Sequence, residues 1–214
     1  PEARVIALEP SLQNYAMLLR NTRDLTPRVT ALRAALWNSS ATMTIGGDAS
    51  SPWALSVKES TSPSKGQGAS TSLPGITIPM LLDALCVPRL DFLKMDIEGA
   101  EMSVLVKGSE SWLKRVRYFY MEYHAWAKDP DDPTHKRTAV AMSVQALANA
   151  GMTVLTNPNL TMATWMPSRP KRREYVFLAC QKEVPRMECK ALCDAWRAGT
   201  GLGCEFVNRY RARP

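Results

Sequence analysis

The sequence has no apolar run that approaches the roughly 18–20 residues of a membrane-spanning helix, so we expect no membrane-spanning helix. It also has no internal repeat. With 45% hydrophobic and 22% charged residues, the composition is that of a globular chain rather than a disordered or fibrous one. Neither Met nor an apolar leader opens the chain, so we expect a segment of a longer protein, whose start does not reveal the compartment. Its 214 residues predict one domain, with room for a small appendage.

The chain also lacks the evenly spread basic charge of a nucleic-acid-binding face. Its net charge is +7, but residues 167–214 carry 11 Lys and Arg against 5 Asp and Glu, which leaves the rest nearly neutral. The densest basic group comprises Arg169, Lys171, Arg172 and Arg173. We interpret it as a solvated loop in preference to a contact with acidic glycans, lipid headgroups or nucleic acid. We therefore do not expect a nucleic-acid partner, and the oligomeric state is not predicted.

Strand-like and helix-like segments alternate along the chain. The predicted strands span residues 4–9, 29–36, 41–45, 90–97, 116–123, 152–155 and 175–180. The predicted helices span residues 12–19 (with Ser11 as the N-cap), 79–86, 99–107 and 138–150. This alternation predicts an α/β fold with a largely parallel sheet. Residues 46–75, of which 18 are Gly, Ser, Thr or Pro, are predicted to form a long loop or insertion.

Acidic side chains stand at the ends of three predicted strands. Glu9 ends the first, Asp96 and Glu98 end the central one, and Glu122 ends the aromatic one, with His124 two residues later. In an open α/β sheet, ligands bind at the carboxyl ends of the strands. Glu9 could accept hydrogen bonds from the ribose hydroxyls of a nucleoside cofactor. Asp96 and Glu98 could orient a substrate hydroxyl, accept a proton or hold a divalent cation.

Each of these residues also has a structural interpretation. Glu9 could be an acid near a helix N-terminus, and Asp96 could cap the helix that follows it. His124 could be a buried histidine with no part in chemistry. Four acids and a histidine at three strand ends nevertheless favour a functional site.

The segment Lys94-Met95-Asp96-Ile97-Glu98-Gly99-Ala100-Glu101 resembles the signature of FkbM-type methyltransferases. Further resemblance is found at residues 5–11 (the family's second strand), 34–38 (near the adenine) and 121–124 (Glu-x-His after the fifth strand), within an overall span of residues 4–182. The resemblance implies a Rossmann-like class I methyltransferase sheet with helices on both faces and S-adenosylmethionine as cofactor. The implied cofactor contacts are Glu9, Pro10, Ala35, Leu36 and Asp96. The implied catalytic residues are Asp96, Glu98, Glu122 and His124.

The family's first strand and its Gly-rich turn would precede Arg4, so we expect an N-terminally truncated domain over residues 1–183 that binds cofactor weakly or not at all. The predicted reaction is methyl transfer to a hydroxyl of a sugar or small metabolite. His124 is the favoured general base, because the ordinary histidine pKa of about 6.5 suits neutral pH. Asp96 would position the acceptor or the methyl donor. The alternative is a catalytically inactive binding or scaffold domain of a larger secretory-pathway protein; a nicotinamide-dependent oxidoreductase ranks last.

The five cysteines fall into two groups. Cys86 and Cys180 lie in apolar runs and are predicted to be buried thiols. Cys189 and Cys193 share one helical face, and with Cys204 their spacing resembles the start of a PAN/apple module over residues 184–214, a secreted disulfide-bonded domain. That resemblance implies the Golgi lumen or the extracellular space, and without it the expected location is cytoplasmic. Since neither a fourth cysteine nor a histidine lies nearby, we assign no metal site.

Overall fold

The computed structural model describes residues 3–46, 55–60, 72–106, 108–124, 136–156, 174–196 and 205–206. The chain divides into two compact units, residues 1–81 (unit 1) and residues 82–214 (unit 2). Among the described helices, none combines the length and the apolar character that a membrane crossing requires.

Unit 1 is built from two small sheets and one long helix. Its elements in chain order are β1 (Val5–Leu8), α1 (Leu12–Thr22), β2 (Val29–Leu32), β3 (Ala35–Leu36), β4 (Ala41–Gly46), β5 (Ser56–Glu59) and β6 (Ser72–Ile76). β1 and β2 form a parallel pair, and α1 connects them. The other four strands form a sheet of order β3-β6-β4-β5, in which only the β3–β6 pair is parallel.

Helix α1 begins where the sequence predicts it. Ser11 has an extended backbone, and its side-chain oxygen accepts a hydrogen bond from the Asn14 backbone N–H at 3.4 Å, as an N-cap residue does. The Tyr15 hydroxyl donates to the Ala31 carbonyl of β2, which ties the helix to the strand pair. The predicted strand and helix at this end of the chain are therefore confirmed.

The core of unit 1 is small and lies in the four-stranded sheet. Ala35, Met43 and Leu73 are its buried members. Gly75 faces Met43 so closely that a Cβ at this position would lie 2.9 Å from the Met43 side chain. Because real Cβ atoms do not approach that closely, the packing of β6 on β4 requires glycine here.

Unit 2 is organised around a five-stranded sheet of order β11-β9-β10-β8-β7. Its elements are β7 (Leu90–Met95), α3 (Glu101–Val106), α4 (Glu110–Leu113), β8 (Val116–His124), α5 (Lys136–Asn149), β9 (Thr153–Thr156), β10 (Glu174–Cys180), α6 (Arg186–Trp196) and β11 (Glu205–Phe206), and α2 (Ile78–Ala84) spans the boundary between the units. β7 and β8 are parallel and are connected by α3 and α4, whereas β10 is antiparallel to both β8 and β9. The carboxyl ends of β7 and β8 therefore lie at one edge of the sheet.

The core of unit 2 is centred on β8. Phe119 and Met121 are fully buried, and Trp112 packs edge-on against Phe119 with 6.1 Å between the ring centroids. Leu147 of α5 and Phe177 of β10 are buried as well. These side chains pack around β8, the strand that ends in Glu122, Tyr123 and His124.

A disulfide between Cys180 and Cys189 attaches α6 to the end of β10, with 6.1 Å between the Cα atoms. Cys193, one helical turn further on, is buried and also disulfide-bonded. Cys180 is buried as predicted, but the predicted free thiol is wrong, because α6 turns back over the sheet and brings Cys189 to it. The prediction for Cys86 is wrong too: this residue follows the end of α2 in a left-handed conformation and is an exposed free thiol.

Four further sequence predictions need correction. The strand predicted over residues 29–36 is two strands, β2 and β3, which belong to different sheets. The region 46–75 contains β5 and β6 in its described part, so it is not one continuous loop. The prediction of a largely parallel sheet is wrong, because five of the eight described strand pairs are antiparallel.

The fourth correction concerns β1 and β7, whose sequences are typical of buried strands. Within the described residues, each has one hydrogen-bonded neighbour in its sheet. Val5 is 49% exposed and Phe92 is 40% exposed, so neither strand is buried along its whole length.

The basic group at residues 169–173 lies outside the described residues. The division at residues 183 and 184 remains a sequence prediction.

Candidate active site

The parallel register of β7 and β8 places two short acidic segments side by side. Met95, the last residue of β7, lies opposite Met121 in β8. Asp96 therefore leaves the sheet next to the end of β8, where Glu122 and His124 are located. Unit 2 thus brings together the four residues predicted to be catalytic.

The centre of this cluster is a buried pair formed by His124 and Glu101. The His124 Nδ1 atom lies 2.7 Å from the Glu101 Oε1 atom. Only 4% of His124 and 1% of Glu101 is exposed. Burying a carboxylate is costly unless donors surround it, and the backbone N–H groups of Ile97 and Gly99 each donate to the same Oε1 atom at 3.2 Å.

A sharp turn between β7 and α3 makes this arrangement possible. Glu98 has a φ of 53° and Gly99 a φ of 104°, so the chain passes through two consecutive left-handed residues. Gly tolerates this region, whereas a residue with a Cβ adopts it at a cost of about 1–2 kcal/mol. The turn points the N–H groups of Ile97 and Gly99 at Glu101 in the first turn of α3 and places Glu98 beside His124.

The second ring nitrogen of His124 faces two carboxylates. Its Nε2 atom lies 3.7 Å from Glu98 Oε2 and 3.9 Å from Asp96 Oδ1. Both acidic side chains are partly exposed, at 23% for Glu98 and 31% for Asp96, so the cluster is open to solvent on the Nε2 side. The three side chains each offer a ligand atom within 4.8 Å of the others, which is also a spacing that a divalent cation could bridge.

Lys94 and Tyr120 contact two of the acidic side chains, Asp96 and Glu122. The Lys94 ammonium lies 2.9 Å from Asp96 Oδ2 and 4.0 Å from Glu122 Oε1. The Tyr120 hydroxyl donates to Glu122 Oε1 at 3.1 Å. Among the described residues, the four carboxylates of the site face one ammonium group, so this cluster carries net negative charge when His124 is neutral.

Glu101 and Lys94 are the functional candidates that sequence reasoning missed. Both stand in the segment that resembles the FkbM signature, but neither was assigned a role. A signal for Glu101 was present, since it is an acid in the first turn of the helix that follows the strand-end acids. Its partner His124 lies 23 residues away, and only the parallel register brings the two together.

The residues predicted to bind cofactor, apart from Asp96, lie in unit 1. Glu9 follows β1, is partly buried, and its Oε1 atom accepts a hydrogen bond from the Ser11 N–H at 2.8 Å. This contact agrees with the interpretation of Glu9 as an acid at the start of α1 and also fixes the direction of its carboxylate. Ala35 and Leu36 are buried, with exposures of 2% and 7%. Their part in cofactor binding remains a prediction.

A comparison with models of protein families gives a match. The family model described as "Methyltransferase FkbM domain" matches residues 1–149, which include β1, the segment from Lys94 to Glu101 and all of β8. No curated protein and no solved structure was found to be similar to the chain. Because the family match spans well over half of the 214 residues, the chain belongs to the FkbM methyltransferase family.

Proposed function

We propose that this protein is an S-adenosylmethionine-dependent O-methyltransferase that acts on a hydroxyl of a sugar or small metabolite. The observation that carries the proposal is the buried Glu101–His124 pair. Its Nε2 side faces Asp96 and Glu98, which follow β7, and His124 itself ends the parallel strand β8. Family membership supplies the reaction class, and the site offers groups suited to binding a hydroxyl and taking its proton.

In the proposed reaction, His124 acts as the general base. S-adenosylmethionine, when bound, supplies a methyl group on a positively charged sulfur. As the acceptor oxygen bonds to the methyl carbon and the carbon–sulfur bond breaks, the hydroxyl proton passes to His124 Nε2. Productive alignment requires the reacting atoms to be about 3–3.5 Å apart and in line. Proton transfer to a positioned side chain contributes about 10²–10⁴-fold in rate.

The carboxylates would orient the reactants. Lys94 holds one oxygen of Asp96 at 2.9 Å, while the other oxygen faces the His124 ring. In this position, Asp96 can accept a hydrogen bond from the acceptor hydroxyl or lie beside the methyl donor. The net negative charge of the cluster favours a cationic donor over its neutral product, since opposite charges attract most strongly where water is partly excluded.

The cofactor ribose would bind at Glu9. The Ser11 N–H fixes the Glu9 carboxylate, and a fixed carboxylate at the end of a strand is suited to accept hydrogen bonds from ribose hydroxyls. Because the side chains of Ala35 and Leu36 are buried, an adenine ring there would contact mainly their backbone, with Pro10 beside the ribose. The strands β1 and β2 form a parallel pair connected through a helix, and so do β7 and β8. This βαβ arrangement is the motif from which a Rossmann-like sheet is built.

We further propose that the protein functions in an oxidising compartment. The disulfide between Cys180 and Cys189, which closes a separation of 9 residues, supports this location. Structural disulfides persist in secretory and extracellular surroundings and are rare where glutathione keeps thiols reduced.

The experiment is a transfer assay with S-adenosylmethionine labelled in its methyl group. The chain, and in parallel the longest protein encoded by its reading frame, is incubated with neutral sugars and hydroxylated small molecules. We expect label to appear in an ether-linked, base-stable product with one S-adenosylhomocysteine formed per methyl transferred. Calorimetric titration with S-adenosylmethionine accompanies the assay, with Glu9→Gln weakening binding by about tenfold or more. Absence of both binding and transfer in both proteins contradicts the proposal.

A further inference from the structure

We propose that Glu101 is a positioning residue for His124. It holds the proton of the imidazole on Nδ1, so that Nε2 carries the lone pair, and it balances the positive charge that the ring acquires on taking a proton. The catalytic part of this inference rests on the proposed methyl transfer. The state of the ring is a property of the folded chain and can be measured without turnover.

The assignment of the proton follows from the donors around Glu101 Oε1. The N–H groups of Ile97 and Gly99 can only donate, and both are directed at this oxygen at 3.2 Å. Oε1 is therefore an acceptor, and an ionised carboxylate accepts only. The third neighbour of Oε1, His124 Nδ1 at 2.7 Å, must then be the donor. In a neutral ring only one nitrogen carries a proton, which leaves Nε2 as the basic atom.

The surroundings of Nε2 agree with this assignment. The Asp96 and Glu98 oxygens lie 3.9 and 3.7 Å from Nε2, beyond normal hydrogen-bond distance. An acceptor hydroxyl that enters from the partly exposed carboxylate side would pass Asp96 and Glu98 and could then give its proton to Nε2. A carboxylate behind a histidine that fixes its tautomer and stabilises the imidazolium is a recurring device in acyl-transfer enzymes.

A purely structural role is the competing explanation. Glu101 lies in the first turn of α3, and its contacts with the Ile97 and Gly99 N–H groups would stabilise the turn even if His124 had no function. The two explanations differ in what happens to the ring. A positioning role predicts a change of tautomer when the carboxylate is removed, whereas a structural role predicts a change of stability alone.

The decisive experiment is ¹⁵N nuclear magnetic resonance of the histidine rings. The chain has two histidines, so a His135→Gln background leaves His124 as the single signal. In this background we expect His124 to show a protonated Nδ1 and an unprotonated Nε2 above its titration range.

Glu101→Ala removes the oxygen that accepts from Nδ1, so we expect a mixture of tautomers. Glu101→Gln keeps an acceptor oxygen for the Ile97 and Gly99 N–H groups and for Nδ1, so we expect it to keep the tautomer. Glu110→Ala, which changes an exposed acid at the start of α4, is the matched control and leaves the spectrum unchanged.

Transfer assays on the same proteins connect the ring to turnover. We expect Glu101→Gln to lower kcat by about 10²–10⁴-fold, with KM for the acceptor within about threefold. Running each assay with and without a chelator separates this effect from loss of a cation held by Asp96, Glu98 and His124. We expect the chelator to leave the ratio of the two proteins unchanged.

Three results overturn the inference. They are a wild-type His124 with its proton on Nε2, a tautomer that Glu101→Ala does not alter, and a full kcat in Glu101→Gln. If Glu101→Ala does not fold, the tautomer of the unsubstituted protein decides alone. Failure of the proposed function looks different: the ring shows the expected tautomer and responds to Glu101→Ala, but the unsubstituted protein transfers no label.

Discussion

Removing the Glu101 side chain should destabilise unit 2 strongly. Glu101→Ala takes away the acceptor of two backbone N–H groups and of His124 Nδ1, all within 3.2 Å of one oxygen. A buried donor left without a partner costs about 1–3 kcal/mol. Three donors lose their acceptor together, and water can reach the two backbone donors in part, so we expect a loss of about 3–5 kcal/mol, which is below the full sum.

Urea unfolding followed by circular dichroism measures this loss. In a protein of this size, about 3–5 kcal/mol corresponds to a fall in Tm of roughly 6–20 °C. Glu101→Gln keeps an acceptor oxygen and should lose about 1–2 kcal/mol. The exposed Glu110, changed to Ala, should stay within about 0.5 kcal/mol of the unsubstituted protein. A Glu101→Ala protein that is as stable as the Glu110→Ala protein would refute the reasoning, because the buried pair would then contribute nothing.

Three further predictions concern the scaffold. Replacing Cys180 and Cys189 together by Ala should lower the free energy of unfolding by about 2–3 kcal/mol, since the 9-residue separation is short, and mass spectrometry of proteolytic peptides checks the pairing first. Ser11→Ala removes the N-cap of α1 and should cost about 1 kcal/mol, measured by thermal unfolding. The hydrogen bond to Glu188, and then burial, raise the pKa of Tyr118 above its ordinary value. The native state therefore holds this proton more tightly than the unfolded state, so the contribution is present below pH about 10 and is lost as the pH rises through the native pKa. Tyr118→Phe should accordingly unfold with a weaker pH dependence of Tm above pH about 10, and an equally steep dependence contradicts the assignment.

The local elements were largely predictable because their signals are local. Ser11 caps α1, Gly151 ends α5 with a φ of 84°, and the aromatic and β-branched character of residues 116–123 predicts β8. The pairing of strands was less predictable. An apolar run such as residues 29–36 does not state which neighbour each half will join, and here the halves join different sheets.

Part of the candidate site followed from the sequence for a physical reason. Acids at the ends of predicted strands must collect at one edge if the strands are parallel, and β7 and β8 are parallel. The role of Glu101 could not be read in this way, because it depends on a left-handed backbone at Glu98, which sequence patterns do not favour for glutamate. The disulfide partner of Cys180 could not be predicted either, since spacing alone does not fix disulfide connectivity.

The central claim is that His124 takes the proton of a methyl acceptor. The most direct test compares the steady-state transfer of labelled methyl from S-adenosylmethionine by the unsubstituted protein, His124→Gln and the exposed control Glu110→Gln. We expect His124→Gln to lose about 10²-fold or more in kcat, with S-adenosylmethionine affinity within about threefold, while Glu110→Gln retains full activity. Equal kcat in the His124 and Glu110 variants would contradict the claim.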